Sequence, residues 1–126
     1  MRRGYGDEYR TKQVLAEQYG KDNVVKVAIG SFGADFLILQ KGRLVKVVEV
    51  KGTKKDKWHP SQREKEQLWR IHNFSQIHEC DAEIWIWTKN GNKKELRIVS
   101  MEEFVEGDTH ETLGHEGMER KKRKVY

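Results

Sequence analysis

Between Gly33 and Lys51, two runs rich in aliphatic and β-branched residues, Phe-Leu-Ile-Leu and Leu-Val-Lys-Val-Val-Glu-Val, flank the polar segment Gln-Lys-Gly-Arg. This pattern predicts a β-hairpin that turns at Gly42. If the hairpin is symmetric about Gly42, the facing pairs are Leu39 with Val45, Leu37 with Val47, and Asp35 with Glu49.

Alternation along the two strands gives the hairpin two apolar faces. One face is predicted to carry Phe36, Ile38, Val48 and Val50, and the other Leu37, Leu39, Val45 and Val47. A hairpin that is apolar on both faces belongs in the middle of a sheet rather than at a solvated edge.

The rest of the chain alternates between helical and strand patterns. The predicted elements, in order, are a helix at Asp7–Tyr19, a strand at Val24–Ile29, the hairpin, a helix opening at Ser61, a strand at Ala82–Thr88, a return strand at Leu96–Val99 and a short helix from Ser100 through Val105. In the first helix, one stripe contains Glu8, Lys12, Leu15 and Tyr19, which points Glu8 toward the sheet. We therefore predict an α/β domain in which helices flank a mixed central β-sheet.

Two carboxylates face each other at the open end of the predicted hairpin. Opposed residues on one face of a sheet have Cβ atoms roughly 5 Å apart, so Asp35 and Glu49 would repel each other. A divalent cation resolves this repulsion, and Mg²⁺ is commonly held by one or two carboxylates plus a substrate phosphate. Lys51 lies two residues beyond Glu49 on the same face, where a lysine can orient or deprotonate a water molecule or stabilise charge on a phosphate.

Asp35 followed by Glu49-Val50-Lys51 resembles the motif of the PD-(D/E)xK nucleases. Within that superfamily, the chain is most similar to the archaeal Holliday-junction resolvases, because Gly52-Thr53-Lys54-Lys55 follows the motif hairpin and Glu8 matches a glutamate of the first helix. Ala34 stands where many members have proline. The resemblance implies a single domain with the restriction-endonuclease-like fold.

The resemblance also implies roles for the site residues. Asp35, Glu49 and the Val50 backbone carbonyl would hold Mg²⁺, for which Mn²⁺ is expected to substitute. Lys51 would position or activate water, and Glu8 would assist through the water shell of the metal. The implied reaction is in-line hydrolysis of a phosphodiester that leaves a 5′-phosphate and a 3′-hydroxyl.

Many nucleases of this superfamily carry a glutamine in the helix that follows the lysine. Gln62, in the first turn of the predicted second helix, matches this position best, and Gln67 is the second candidate. The substrate implied by the resemblance is DNA, branched or in the form of a four-way junction.

The 126 residues have room for one domain with a hydrophobic core. We predict that this domain covers residues 1–106 and that residues 107–126 form a mobile basic tail. The run at 120–124 holds five basic residues, and the remainder of the chain has equal numbers of basic and acidic residues, so the net charge of +5 comes from this run. The residues predicted to contact DNA are Arg2, Arg3, Arg10, Ser31, Lys54, Lys55 and Lys57.

Several classes of protein are excluded by composition. No segment approaches the roughly 20 apolar residues of a membrane span, and the amino terminus lacks the apolar core of a signal peptide. We therefore expect a soluble, cytoplasmic protein with no membrane partner. Cys80 is the only cysteine, which excludes an internal disulfide and a cysteine-cluster metal site.

A resolvase must cut two symmetry-related strands, so we predict a homodimer. The proposed interface surfaces are the outward face of Ile84–Trp87 and the exposed side of the Trp69–Phe74 helix. Two other functions stay open at this point. One is a nuclease of the same superfamily that acts on linear duplex, flap or single-stranded DNA, and the other is a catalytically dead nucleic-acid-binding module.

Overall fold

The computed structural model describes residues 5–27, 34–54, 57–108 and 123–125. Four predicted DNA contacts, Arg2, Arg3, Ser31 and Lys55, lie outside these ranges, as does most of the predicted tail. The described elements are α1 (Tyr5–Tyr19), a 3₁₀ turn (Lys21–Asn23), β1 (Val24–Lys26), β2 (Phe36–Gln40), β3 (Arg43–Thr53), α2 (Gln62–Ile77), β4 (Asp81–Asn90), β5 (Lys93–Ser100), α3 (Met101–Asp108) and β6 (Arg123–Val125).

The strands of the described ranges form one mixed sheet in the order β1-β2-β3-β4-β5-β6. Strands β3 and β4 are parallel and are joined through α2, whereas the other neighbouring pairs are antiparallel. The predicted α/β class, with a mixed central sheet flanked by helices, is therefore confirmed. The boundary predicted at 106/107 falls within α3, and β6 of the predicted tail pairs with β5 at the sheet edge.

Helices cover both faces of this sheet. On one face, Leu15 of α1 packs in a buried cluster with Trp85 and Trp87 of β4. On the other face, residues of α2 and α3, including Leu68 and Phe104, pack in a second cluster. Ile84–Trp87 is fully covered on both sides, so our prediction that its outward face forms a dimer interface is wrong.

The motif hairpin turns through Lys41 and Gly42, which both have positive φ angles, of 52° and 78°. A two-residue turn of this kind pairs Leu39 with Leu44. The predicted pairing of Leu39 with Val45 is therefore wrong, and Val45 packs with the cluster on the α1 side of the sheet. A register shift of one residue between Ile38 and Leu39 corrects this offset. From Ile38 toward Asp35, the strands pair in the predicted register.

The buried stripe of α1 differs from the predicted one. Asp7, Thr11 and Leu15 are buried, whereas Lys12 is exposed and Glu8 is half-buried. The two polar residues are buried because they are hydrogen-bonded: the Thr11 hydroxyl donates to the Asp7 carbonyl at 2.8 Å and accepts from the Trp87 indole at 2.7 Å. This arrangement fixes the first turn of α1 against the sheet.

Gly52 leaves room for the Asp7 carboxylate where α1 meets the end of β3. The Asp7 carboxylate, which is paired with Arg10 at 3.1 Å and Lys94 at 3.3 Å, lies against the Gly52 backbone, and a Cβ atom there would overlap Asp7 Oδ2. We expect Gly52→Ala to lower the free energy of unfolding by about 1–3 kcal/mol in urea denaturation. In a double-mutant cycle, Gly52→Ala should cost less when Asp7→Ala is already present, and equal costs in both backgrounds would contradict this contact.

Candidate active site

The start of β2 and the end of β3 bring the predicted carboxylates together. Asp35 donates its backbone N–H to the Val48 carbonyl at 3.0 Å, which continues the hairpin ladder by one residue. Its side chain then accepts a 2.8 Å hydrogen bond at Oδ2 from the backbone N–H of Val50. Asp35 is thus tied to the strand segment that carries Glu49 and Lys51.

Glu49 is a buried carboxyl group beside another carboxylate. It is 3% exposed, and its Oε2 lies 3.0 Å from Lys51 Nζ. Burial and the nearby Asp35 raise the pKa of Glu49 to about 9, against the opposing effect of Lys51. Within the described ranges, Glu49 Oε1 has no hydrogen-bond partner. Glu49 therefore has one buried oxygen that no hydrogen-bond donor in the described ranges contacts, beside the second carboxylate of Asp35.

An unpartnered carboxyl oxygen beside a second carboxylate fits a divalent cation. Buried charges are normally paired or coordinate metals, and carboxylate oxygens are the ligands that Mg²⁺ prefers. No group of three or more His, Cys, Asp or Glu side chains is arranged to hold a metal ion in the part of the chain that the structure describes. The candidate is thus a two-carboxylate site, of the kind that Mg²⁺ completes with water and a substrate phosphate.

The Lys51 ammonium is surrounded by oxygen acceptors from two elements. Besides Glu49, it contacts Gln67 Oε1 at 2.9 Å and Glu64 Oε2 at 3.5 Å, both from α2. The glutamine in contact with Lys51 is therefore the second candidate, Gln67, while the side chain of Gln62 is exposed. The predicted capping box of Ser61 and Glu64 is present, although its sequence pattern does not indicate that Glu64 also reaches β3.

Glu8 is connected to this group of residues through Lys26, which is not among the predicted site residues. Lys26 Nζ lies 2.6 Å from Glu8 Oε1 and 3.4 Å from Asp35 Oδ1. Burial disfavours the Lys26 charge, but the hydrogen bond to Glu8 and the charge of Asp35 outweigh it and raise the pKa of Lys26. Lys26 reaches the site because β1 pairs with β2 and places it opposite Phe36, a pairing that no local sequence signal indicates.

The remaining described DNA-contact candidates are Lys54, Lys57 and Arg10. Lys54 directly follows β3 and is exposed, and Lys57 is half-buried. Arg10 is engaged in the ion pair with Asp7. A surface cavity of about 660 Å³ lies elsewhere, beside the hairpin turn at Lys41 and Arg43, so it is at the opposite end of the strands from the carboxylates.

No protein-family model matches the chain, and no curated protein matches it. Among solved structures, the chain is similar to Hjc, a Holliday junction resolvase from the archaeal hyperthermophile Archaeoglobus fulgidus. The two share 19% sequence identity with a TM-score of 0.50, over 75% of this chain and 76% of that one. This likeness shows a shared fold, a mixed sheet with flanking helices. Within the described ranges, no helix combines the length and apolar character needed to cross a membrane.

Proposed function

We propose that this protein is a Mg²⁺-dependent, structure-selective DNA endonuclease of the PD-(D/E)xK type, acting on branched DNA as a resolvase does. The observation that carries this proposal is the buried Glu49 carboxyl group beside Asp35: one of its oxygens has no hydrogen-bond partner in the described ranges, and the Lys51 ammonium lies 3.0 Å from the other. The fold shared with an archaeal Holliday junction resolvase supports the same proposal.

Each residue in the site has a proposed task. Asp35 and Glu49, with the Val50 backbone carbonyl, would hold Mg²⁺, which supplies Lewis-acid polarisation of a phosphate and activation of water when bound. Lys51 orients the attacking water and offers a positive charge to the phosphate. Glu8 would assist through the water shell of the bound metal. Lys26, as a cation between Glu8 and Asp35, limits the repulsion among the acidic groups. Phosphodiester hydrolysis in this arrangement gives a 5′-phosphate and a 3′-hydroxyl.

A substrate panel tests both the activity and its selectivity. Purified protein should cleave a four-way junction in Mg²⁺ and also in Mn²⁺. It should bind the junction without cleaving it in Ca²⁺, because Ca²⁺ is larger than Mg²⁺ and has a more flexible coordination geometry. Flap, single-stranded and linear duplex DNA are the comparison substrates. Preferential cleavage of one of these would favour a different nuclease of the superfamily, and binding without any cleavage in Mg²⁺ or Mn²⁺ would favour a catalytically dead DNA-binding module.

We propose that the active form is a homodimer, because a junction presents two strands to cut. With Ile84–Trp87 buried, the interface candidate that stays available is the outer side of α2, where Trp69 is 38% and Ile77 is 74% exposed. These two residues are eight positions apart and share one side of the helix. Exposed apolar residues aligned in this way are typical of interfaces.

Removing this apolar stripe should convert the dimer to a monomer. We expect sedimentation equilibrium of the wild-type protein at micromolar concentration to give twice the mass of one chain, and Trp69→Ala with Ile77→Ala to give the single mass. Tyr9→Ala, which truncates an exposed aromatic residue on α1, is the matched control and should stay dimeric. A wild-type protein that is monomeric under these conditions would contradict the dimer and weaken the junction assignment.

A further inference from the structure

The Lys51 ammonium is held by side chains from both β3 and α2. An ammonium group has three N–H donors, and three oxygens surround this one: Glu49 Oε2 at 3.0 Å, Gln67 Oε1 at 2.9 Å and Glu64 Oε2 at 3.5 Å. Glu64 and Gln67 are three residues apart, so they lie on one side of α2. The lysine side chain is 15% exposed, and most of its length is therefore fixed by packing as well.

Glu64 makes more contacts than a helix cap requires. Its Oε1 accepts a hydrogen bond from the Ser61 backbone N–H at 2.9 Å, while its own N–H donates to Ser61 Oγ at 3.2 Å. These two bonds complete the capping box. The second carboxylate oxygen is not used by the cap, and it is this oxygen that faces Lys51. A single side chain thus links the start of α2 to the lysine of the candidate site.

We propose that Glu64 is a positioning residue that, together with Gln67, forms a clamp on the Lys51 ammonium. Lysine has a flexible four-carbon stem, so an unrestrained ammonium would sample several positions beside the carboxylates. The Glu64–Gln67 clamp supplies two acceptors from a second element and restricts Lys51 to the position beside Glu49. This inference rests on the proposed function for its catalytic consequence, whereas the clamp itself is a property of the folded chain.

Two substitutions separate the clamp from the helix cap. Glu64→Gln keeps a carbonyl oxygen that can accept from the Ser61 N–H but removes the negative charge that faces Lys51. Ser61→Ala removes the hydroxyl acceptor of the cap but leaves the Glu64 carboxylate in place. Ser61 does not contact Lys51 in the described geometry, so its substitution is the matched control for any effect that passes through helix stability.

The first measurement is the ¹H–¹⁵N correlation signal of the Lys51 ammonium, assigned by its absence in Lys51→Met. We expect the wild-type signal to be protected from exchange with water, the Glu64→Gln signal to be broadened or lost, and the Ser61→Ala signal to be retained. The second measurement is cleavage of the preferred DNA in Mg²⁺. Glu64→Gln should lower kcat roughly tenfold or more with KM nearly unchanged, because a misplaced group costs rate rather than binding.

Each result decides one part of the inference. If Glu64→Gln leaves both the signal and kcat unchanged, or if Ser61→Ala reduces both to the same extent, Glu64 is only a helix cap and the proposal is overturned. If the signal changes as expected and kcat does not, the clamp exists but does not position Lys51 for catalysis. If the wild-type protein cleaves none of the panel DNAs, the proposed function fails, and the ammonium signal still tests the clamp.

Discussion

Glu49→Gln and Asp35→Asn should each abolish DNA cleavage while leaving DNA binding intact or tighter. Each substitution removes one of the two carboxylate ligands proposed for the metal, and the bound cation is expected to contribute several kcal/mol to the transition state. We therefore expect a loss of cleavage of roughly a thousandfold or more. Binding should survive because neither substitution adds a negative charge, and Asp35→Asn removes one that repels the DNA phosphates.

Two variants distinguish an enzyme that has lost its metal from one that has lost only its lysine. Lys51→Ala should be inactive with Mg²⁺ still bound, whereas Glu49→Gln should show weakened Mg²⁺ binding by calorimetry. Glu83→Gln is the matched control, because Glu83 is a β4 carboxylate that pairs with Lys46 at 3.2 Å, away from the candidate site. Wild-type cleavage by Glu49→Gln or Asp35→Asn would exclude the proposed active site.

The motif hairpin could be predicted from sequence because two apolar runs flank a short polar segment, and symmetry about Gly42 places Asp35 opposite Glu49. The turn itself was predicted incorrectly: Lys41 and Gly42 form a two-residue loop that pairs Leu39 with Leu44. The error did not reach the site, because the irregularity next to Ile38 restores the predicted register before Asp35.

Contacts made across the fold were beyond what the sequence could show. Lys26 reaches Glu8 and Asp35 only because β1 pairs with β2, and residues between those strands give no local signal for that pairing. Glu64 and Gln67 reach Lys51 only because α2 returns across the sheet as the connection between parallel strands. In each case, helical or strand periodicity predicts which element a residue belongs to, but packing between elements decides what its side chain contacts.

The buried side of α1 could be predicted only in part, for a related reason. Hydrophobicity placed Leu15 and Tyr19 on the buried stripe and aligned Glu8 and Lys12 with them. Leu15 is buried and Tyr19 packs on the same cluster, as predicted. The buried stripe continues through Thr11 and Asp7, however, whose polar groups are satisfied by Arg10, Lys94 and Trp87. A pattern of apolar residues cannot reveal a buried polar stripe whose partners lie far away in the sequence.

In the absence of divalent metal, the protein should become less stable as the pH rises. Burial and the neighbouring Asp35, opposed by Lys51, raise the pKa of Glu49 from 4.5 to about 9. We assign the retained proton to Glu49 rather than Asp35 because its side chain is 4% exposed and that of Asp35 is 20% exposed. A carboxyl group with a raised pKa binds its proton more tightly in the folded chain than in the unfolded chain. Its stabilising contribution is therefore complete below about pH 4.5 and is lost as the pH rises through about 9.

The expected slope is about 1.4 kcal/mol of unfolding free energy per pH unit within that window, or about 3 kcal/mol between about pH 6 and about pH 8. Urea denaturation at a series of pH values, in the presence of a chelator, measures this slope. Glu49→Gln should lack this slope and should be more stable than the wild type at the higher pH, whereas Glu83→Gln should keep the slope. Excess Mg²⁺ should flatten the wild-type dependence, because a cation that binds the deprotonated carboxylates stabilises the folded protein most where the proton is lost. If the wild type and Glu49→Gln show the same pH dependence, Glu49 does not retain a proton, and the electrostatic reason for a cation between Asp35 and Glu49 is removed.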